Sequence, residues 1–339
     1  MTRINVGGAM EGTLCRDDAS GRRMRTTMAA LAMLLPAAAW ADEGGASVWL
    51  PGQFASFAAV PGDPGFSLET IVYVRSASAS AGVNFSRGGS LLAGLAVNEQ
   101  YIYLTPSYTF ATPVLQGQLS LGVTFSAGRS DAMVSATLTG PGGRSLTGTS
   151  SDSASGLSDL YPIASLKWQQ GAHNAMVYAM GSVPTGPYDP NRLTDVELGH
   201  WAVDWGLGYT FMPASGFEFS VTGGLTYNFV NPQTGYQSGM DGHIDFGTSY
   251  SFGDSFYAGA VGYLYNQISP DTGGSARLGD VRSQVAGVGP QAGWTFTVGG
   301  VGIDVNLRGY KEFAAQNRPE GWNAWLTLSL ARAPRKPGG

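Results

Sequence analysis

The sequence predicts an all-β protein: a transmembrane antiparallel β-barrel of about fourteen strands, with about twelve as the runner-up. Three observations predict it. From Gly199 to Phe211, Trp201, Val203, Trp205, Leu207, Tyr209 and Phe211 alternate with His200, Ala202, Asp204, Gly206, Gly208 and Thr210, so one face is oily and the other small or polar. Charged residues make up only 13% of the chain while glycine reaches 50 of 339, a balance unlike that of a soluble domain. Beyond the leader no apolar run is long enough for a spanning helix, and a closed sheet is the other structure that satisfies every backbone group in lipid.

The N-terminus supplies the address. Arg22-Arg23-Met24-Arg25 is a basic region, Met28 to Leu35 an apolar core, and Ala39-Trp40-Ala41 a small-x-small cleavage site, so residues 1–41 read as a Sec signal peptide with an upstream extension. Cys15, the single cysteine, lies before the cleavage site, so the mature chain has no disulfide. Removing 1–41 takes away five arginines and three acids and leaves 14 basic and 21 acidic residues, net −7. No basic patch is present, which argues against nucleic acid as a partner.

Residues 42–65 are rich in Gly, Pro and Ala and lack strand alternation. They read either as a periplasmic tail or as a plug that inserts Trp49, Phe54 and Phe57 into the lumen. Strands are expected near 67–78, 84–96, 100–111, 115–127 and 131–138, followed by a Gly/Ser/Thr loop at 140–155. Further strands are expected near 158–169 and 173–183, and after the loop 184–196 comes the hairpin 199–229, turned by Met212-Pro213-Ala214-Ser215-Gly216. The remaining strands fall near 240–252, 255–268, 282–297, 301–314 and 322–331, and 332–339 form a C-terminal tail. Tight links at 169–171, 213–216, 253–254 and 299–300 alternate with long ones near 140, 190, 235, 275 and 317, the short-turn, long-loop asymmetry of outer-membrane barrels.

Charge at even spacing marks the polar faces. Asp241, His243 and Asp245 share one face, as do Asp304, Arg308 and Glu312, while His200, Asp204 and Glu218 belong to the hairpin. A charge facing lipid near the midplane is costly, about 2–4 kcal/mol for Arg or Lys and less for Asp or Glu, so these nine are candidate lumen-lining residues, as a structural salt-bridge ladder or as a solute-selecting constriction. No histidine pair has fixed metal-ligand spacing and no nucleophile elbow is present, so no metal, cofactor or enzymatic activity is predicted. Arg318 and Glu320, between Gln316 and Trp325, read as residues that pin a loop.

A set of local motifs spread over nearly all of the mature chain resembles the MetA-pathway of phenol degradation family of proteobacterial outer-membrane proteins. They are Ser47-Val48-Trp49-Leu50-Pro51-Gly52-Gln53-Phe54, Thr112-Pro113-Val114-Leu115, Asp159-Leu160-Tyr161-Pro162 with Leu166-Lys167-Trp168, Gly199-His200-Trp201-Ala202-Val203-Asp204 and Thr226-Tyr227-Asn228-Phe229. Val285-Ala286-Gly287-Val288-Gly289-Pro290-Gln291 and Asn317-Arg318-Pro319-Glu320-Gly321-Trp322-Asn323 complete the set. The resemblance implies a barrel related to channels for fatty acids and aromatic hydrocarbons, placed in the bacterial outer membrane. It also implies passive uptake of small hydrophobic or aromatic solutes, with outer-membrane lipids and the barrel assembly machinery as partners, and it favours 42–65 as a plug. The alternative is a structural or interaction barrel with a filled lumen. The C-terminal tail departs from the family by running past the last strand without a terminal aromatic.

Overall fold

The computed structural model describes residues 47–86, 88–273 and 282–332. The predicted leader, residues 42–46 and residues 333–339 of the predicted tail lie outside the described residues. The strands are β1 (Gly65–Asn84), β2 (Ser90–Thr109), β3 (Gln118–Thr139), β4 (Ser145–Leu157), β5 (Tyr161–Gln170), β6 (His173–Ser182), β7 (Ala202–Phe211) and β8 (Phe217–Asn228). They continue with β9 (Tyr236–Gln237), β10 (Asp241–Ser251), β11 (Phe256–Gln267), β12 (Thr272–Gly273), β13 (Gln284–Val298), β14 (Val301–Gln316) and β15 (Glu320–Arg332). All the pairings are antiparallel, and β1 pairs with both β2 and β15, which closes the sheet on itself. Twelve strands form the ring, and β4 lies outside it. The two-residue strands β9 and β12 pair only with each other and clip two loops together.

The ring therefore holds the smaller of the two expected counts. The segments expected at 84–96 and 100–111 are one strand, β2, and those at 115–127 and 131–138 are one strand, β3. The polar stretches that suggested breaks, Asn98-Glu99-Gln100 and Gly128-Arg129-Ser130, lie opposite each other in an unbroken ladder with Asn98 on Asp131 and Gln100 on Arg129. A membrane-crossing strand needs only about 9–11 residues, so β1 to β3, with 20, 20 and 22 residues, project well past the bilayer. There, polar side chains continue a strand rather than end it. The loop expected at 140–155 is likewise largely strand: β4 pairs with the far half of β3 while β5 pairs with its near half, the register running from Ala127–Leu157 to Thr124–Tyr161. Its hydroxyls bond across the pair, Thr137 to Thr147 at 3.0 Å and Thr139 to Ser145 at 2.9 Å.

The alternation read in the hairpin sorts the faces. On β7, Val203, Trp205, Leu207 and Tyr209 are exposed on the outer wall, whereas Asp204 and Thr210 are fully buried. Aromatics including Trp201, Trp294, Phe296 and Trp322 add to the outer band. The strand β6 reverses the size rule: Met176, Tyr178 and Met180 turn inward, and Ala175, Val177 and Ala179 turn outward. Period-2 patterning fixes that faces alternate, but here the bulky face is the inner one.

Candidate functional site

The inside of the ring is not lined by strands alone. Residues 47–60, which form no strand, lie against inward-facing side chains of several ring strands, with Trp49 and Ala59 fully buried. The indole N–H of Trp49 donates to Asp245 Oδ2 at 2.8 Å, and the ring stacks on His243 with centroids 4.2 Å apart. The backbone N–H of Gly52 donates to Asp245 Oδ1 at 3.1 Å, and its carbonyl accepts from the Tyr310 hydroxyl at 3.3 Å. Gly52 has φ +89°, and a Cβ there would meet the Tyr310 ring at 2.7 Å, so only glycine fits. Further along, the amide of Phe57 donates to Glu218 and Ser220, both at 3.0 Å, and that of Ala59 to Thr210 at 3.2 Å. Arg308 donates to the Gln53 carbonyl at 3.3 Å and Lys167 to that of Val60 at 3.3 Å. Most of these contacts hold main-chain atoms and none is a strand ladder, so charged wall residues grip the segment through its backbone.

The nine candidate lumen residues occupy six settings. Asp204, His243 and Asp245 come together: His243 Nε2 lies 2.9 Å from Asp204, which also accepts from Tyr178 at 2.7 Å and Thr226 at 2.6 Å. Glu218 and Arg308 touch the 47–60 segment as described. Asp304 sits nearer the short-turn end, accepting from Thr295 at 2.8 Å. Glu312 is fully buried in the wall, accepting from Tyr263 at 3.0 Å and from the Gly321 amide at 2.8 Å. Asp241 is held by Tyr265 at 2.7 Å and Asn228 at 3.1 Å. His200 precedes β7 instead of lying on it, with Nδ1 2.9 Å from the Leu198 carbonyl and Nε2 3.4 Å from Asn228. Arg318 stacks over the Tyr265 ring at 4.8 Å, and Glu320 accepts from the Ala315 amide at 3.2 Å.

Sequence reasoning passed over Arg75, which pairs with Glu99 at 3.1 Å and lies 3.6 Å from Glu312, and it passed over Lys167 and the inward stripe of β6. Lys167 is one of three lysines in the chain, and its place in step with Ser165 and Ile163 was a signal that alternation alone could have used.

Free space in the ring is unequal on the two sides of the segment. Toward the short turns, a cavity of about 640 Å³ is bounded by Phe54 and Phe57 on one side and by Ile71, Tyr103, Ile163 and Met176 among others on the wall. Toward the long loops, among the described residues, a pocket of about 40 Å³ lies between Trp49, Pro51, Arg75, Glu99, Tyr265 and Arg318.

On that side the loop between β6 and β7 folds against the free side of β4. Asp159 closes its base, accepting from the Thr185 amide at 3.3 Å and the Leu198 amide at 2.9 Å. Burial pushes the Glu197 carboxyl of this loop up to about 8, and the adjacent Asp195 carboxyl acts in the same direction. A carboxyl raised above its ordinary value favours the packed loop while protonated, so that contribution is present at low pH and is lost as pH rises from the ordinary carboxylate range through about 8. Hydrogen exchange at the Gly186 and Leu198 amides should accelerate across that window beyond the intrinsic pH effect. The Glu197→Gln variant should lack the extra acceleration, and identical profiles for the two proteins would refute the assignment.

A family model described as "Putative MetA-pathway of phenol degradation" matches residues 80–328. Among solved structures, the chain is similar to a COG4313 outer membrane channel from Pseudomonas putida F1, at 14% identity and a TM-score of 0.55, covering 84% of this chain and 100% of that one. It is also similar, with a TM-score of 0.38, to a Pseudomonas aeruginosa FadL homologue, at 11% identity over 86% of this chain and 96% of that one. No curated protein matches the sequence. Family and fold place the chain in the bacterial outer membrane.

Proposed function

The chain belongs to the MetA-pathway of phenol degradation family, and from that premise we propose that it is an outer-membrane channel for passive uptake of small hydrophobic compounds, aromatic ones among them. The short turns and both termini then face the periplasm. The observation that carries this reading is the 640 Å³ cavity inside the ring, stoppered by a segment that forms no strand with the wall. A core built only for stability would be close-packed, with few voids larger than a water molecule. In this reading residues 47–60 are a plug, held by polar contacts that water can replace together with the apolar packing of Val48, Trp49 and Ala59, and Asp204, Glu218, His243, Asp245 and Arg308 line the path it blocks.

The narrow space on the loop side favours a second reading, a structural barrel with a permanently filled lumen. Uptake of the hydrophobic fluorophore N-phenyl-1-naphthylamine by cells with intact lipopolysaccharide separates the two. Expression of the protein should speed its arrival at the inner membrane. If neither the full chain nor a variant lacking residues 47–60 speeds it, the channel reading fails and the structural one stands.

A further inference from the structure

Where β3 passes from its pairing with β5 to its pairing with β4, the outer flank of the wall holds a crevice of about 470 Å³. Small-molecule sites fall in the range of about 300–1,000 Å³. The floor is buried, with Ala154 from β4 and Val196 and Glu197 from the loop between β6 and β7. The rim is open: Leu157 is 75% exposed and Phe125 48% exposed, with Pro187 beside them. No residue of the 47–60 segment lines it, so it is distinct from the cavity inside the ring.

Glu197 decides the chemistry. It is 6% exposed, and among the described residues its Oε2 has no hydrogen-bond partner. Leaving a buried polar atom unpaired is costly, so such an oxygen at the floor of an open crevice points to a donor brought from outside. A Cβ at Gly186 would collide with the same carboxyl, and glycine there lets the loop close over it. The surroundings set the charge of that donor. Facing Glu197 are Asp195 and Arg192 of its own loop, Asp159 of the link to β5, and Tyr161 of β5. The Arg192 guanidinium is committed to both oxygens of Asp152, at 2.9 and 3.2 Å. The remaining carboxyls leave the crevice negative. A bare metal ion would need six or so oxygens around it, whereas one free carboxylate oxygen under an apolar rim suits an ammonium on a hydrocarbon chain.

We propose that this crevice is a binding site for a primary alkylammonium, whose N–H groups donate to Glu197 and whose chain lies on Phe125, Leu157 and Pro187. A soluble alkylamine and the ethanolamine head of a lipid both present that group. The site lies on the outer flank and not in the lumen, so it stands whether or not the ring conducts. Burial holds the Glu197 carboxyl up at about 8, so the incoming ammonium displaces a proton, which leaves to solvent as the ion pair forms. Binding therefore tightens by about tenfold per pH unit as pH rises toward about 8, while the amine itself stays charged.

The test is saturation-transfer NMR of n-hexylamine with the full mature chain in phosphatidylcholine nanodiscs, taking empty nanodiscs as the baseline. Saturable binding is expected, about tenfold tighter at pH 7 than at pH 6. Glu197→Gln keeps the shape of the side chain and removes its charge. At pH 8 it should bind hexylammonium about tenfold more weakly and lose the pH dependence, yet bind 1-hexanol as wild type does, a split that general loosening of the loop would not produce. Leu157→Ser, at an exposed position, should weaken both probes by about threefold. Heat-modifiable gel mobility confirms that each variant retains a closed barrel. Nanodiscs containing phosphatidylethanolamine separate the two sources: a lower apparent affinity for hexylamine assigns the site to the lipid head, and an equal one assigns it to soluble amines. Absence of saturable binding to wild type, unchanged hexylamine affinity in Glu197→Gln, or equal loss of amine and alcohol in that variant overturns the site.

Discussion

Deletion of residues 47–60 should raise single-channel conductance in planar bilayers by about tenfold or more. A barrel of about eight strands is just filled by its own side chains, and this ring has twelve, so its interior needs something besides wall residues to close it. The segment's polar contacts include Asp245, Glu218, Thr210, Arg308 and Lys167, all on the wall. Once it is gone these groups meet water, in which charged side chains are well solvated, so the barrel should persist while the passage opens. Conductance indistinguishable from the full chain, with the barrel shown to be closed by its gel mobility, would mean that other residues block the lumen. Asp245→Asn should give a partial version, because Trp49 and Gly52 both lean on that carboxylate.

Arg75→Met should destabilise the barrel by about 3–5 kcal/mol, read as a lower urea midpoint for unfolding from lipid vesicles. Arg75 is 7% exposed and serves Glu99 at 3.1 Å, Glu312 at 3.6 Å and the Pro319 carbonyl at 3.3 Å. Its loss leaves two buried carboxylates without their shared cation, and the cost of a buried unpaired charge exceeds the worth of the pair it came from. Adding Glu99→Gln and Glu312→Gln to Arg75→Met should restore most of the stability. A midpoint equal to wild type in the single variant would show that water reaches these groups and that the cluster is solvated rather than buried.

How far the sequence could be read depended on the range of the interaction concerned. The outward face of β7, the barrel class and the tight turns at 171 and 253–254 follow from alternation and from glycine, which are local and visible in any dozen residues. The strand count did not, because Glu99 and Arg129 look like turn residues until β2 and β3 are laid side by side. The inward Met-Tyr-Met stripe of β6 was hidden for a related reason: periodicity gives two faces but not which of them meets lipid when the larger residues are on the inner one.

The amino-acid order by itself thus determined that the chain is a lipid-embedded β-barrel and that its carboxylates shun the outer wall, since pleat geometry and the cost of charge in hydrocarbon act residue by residue. Only the closed tertiary structure decided which groups meet inside. Gly52 reaches Asp245 across 193 positions and Tyr310 across 258, and it is ring closure that brings such distant residues to one place.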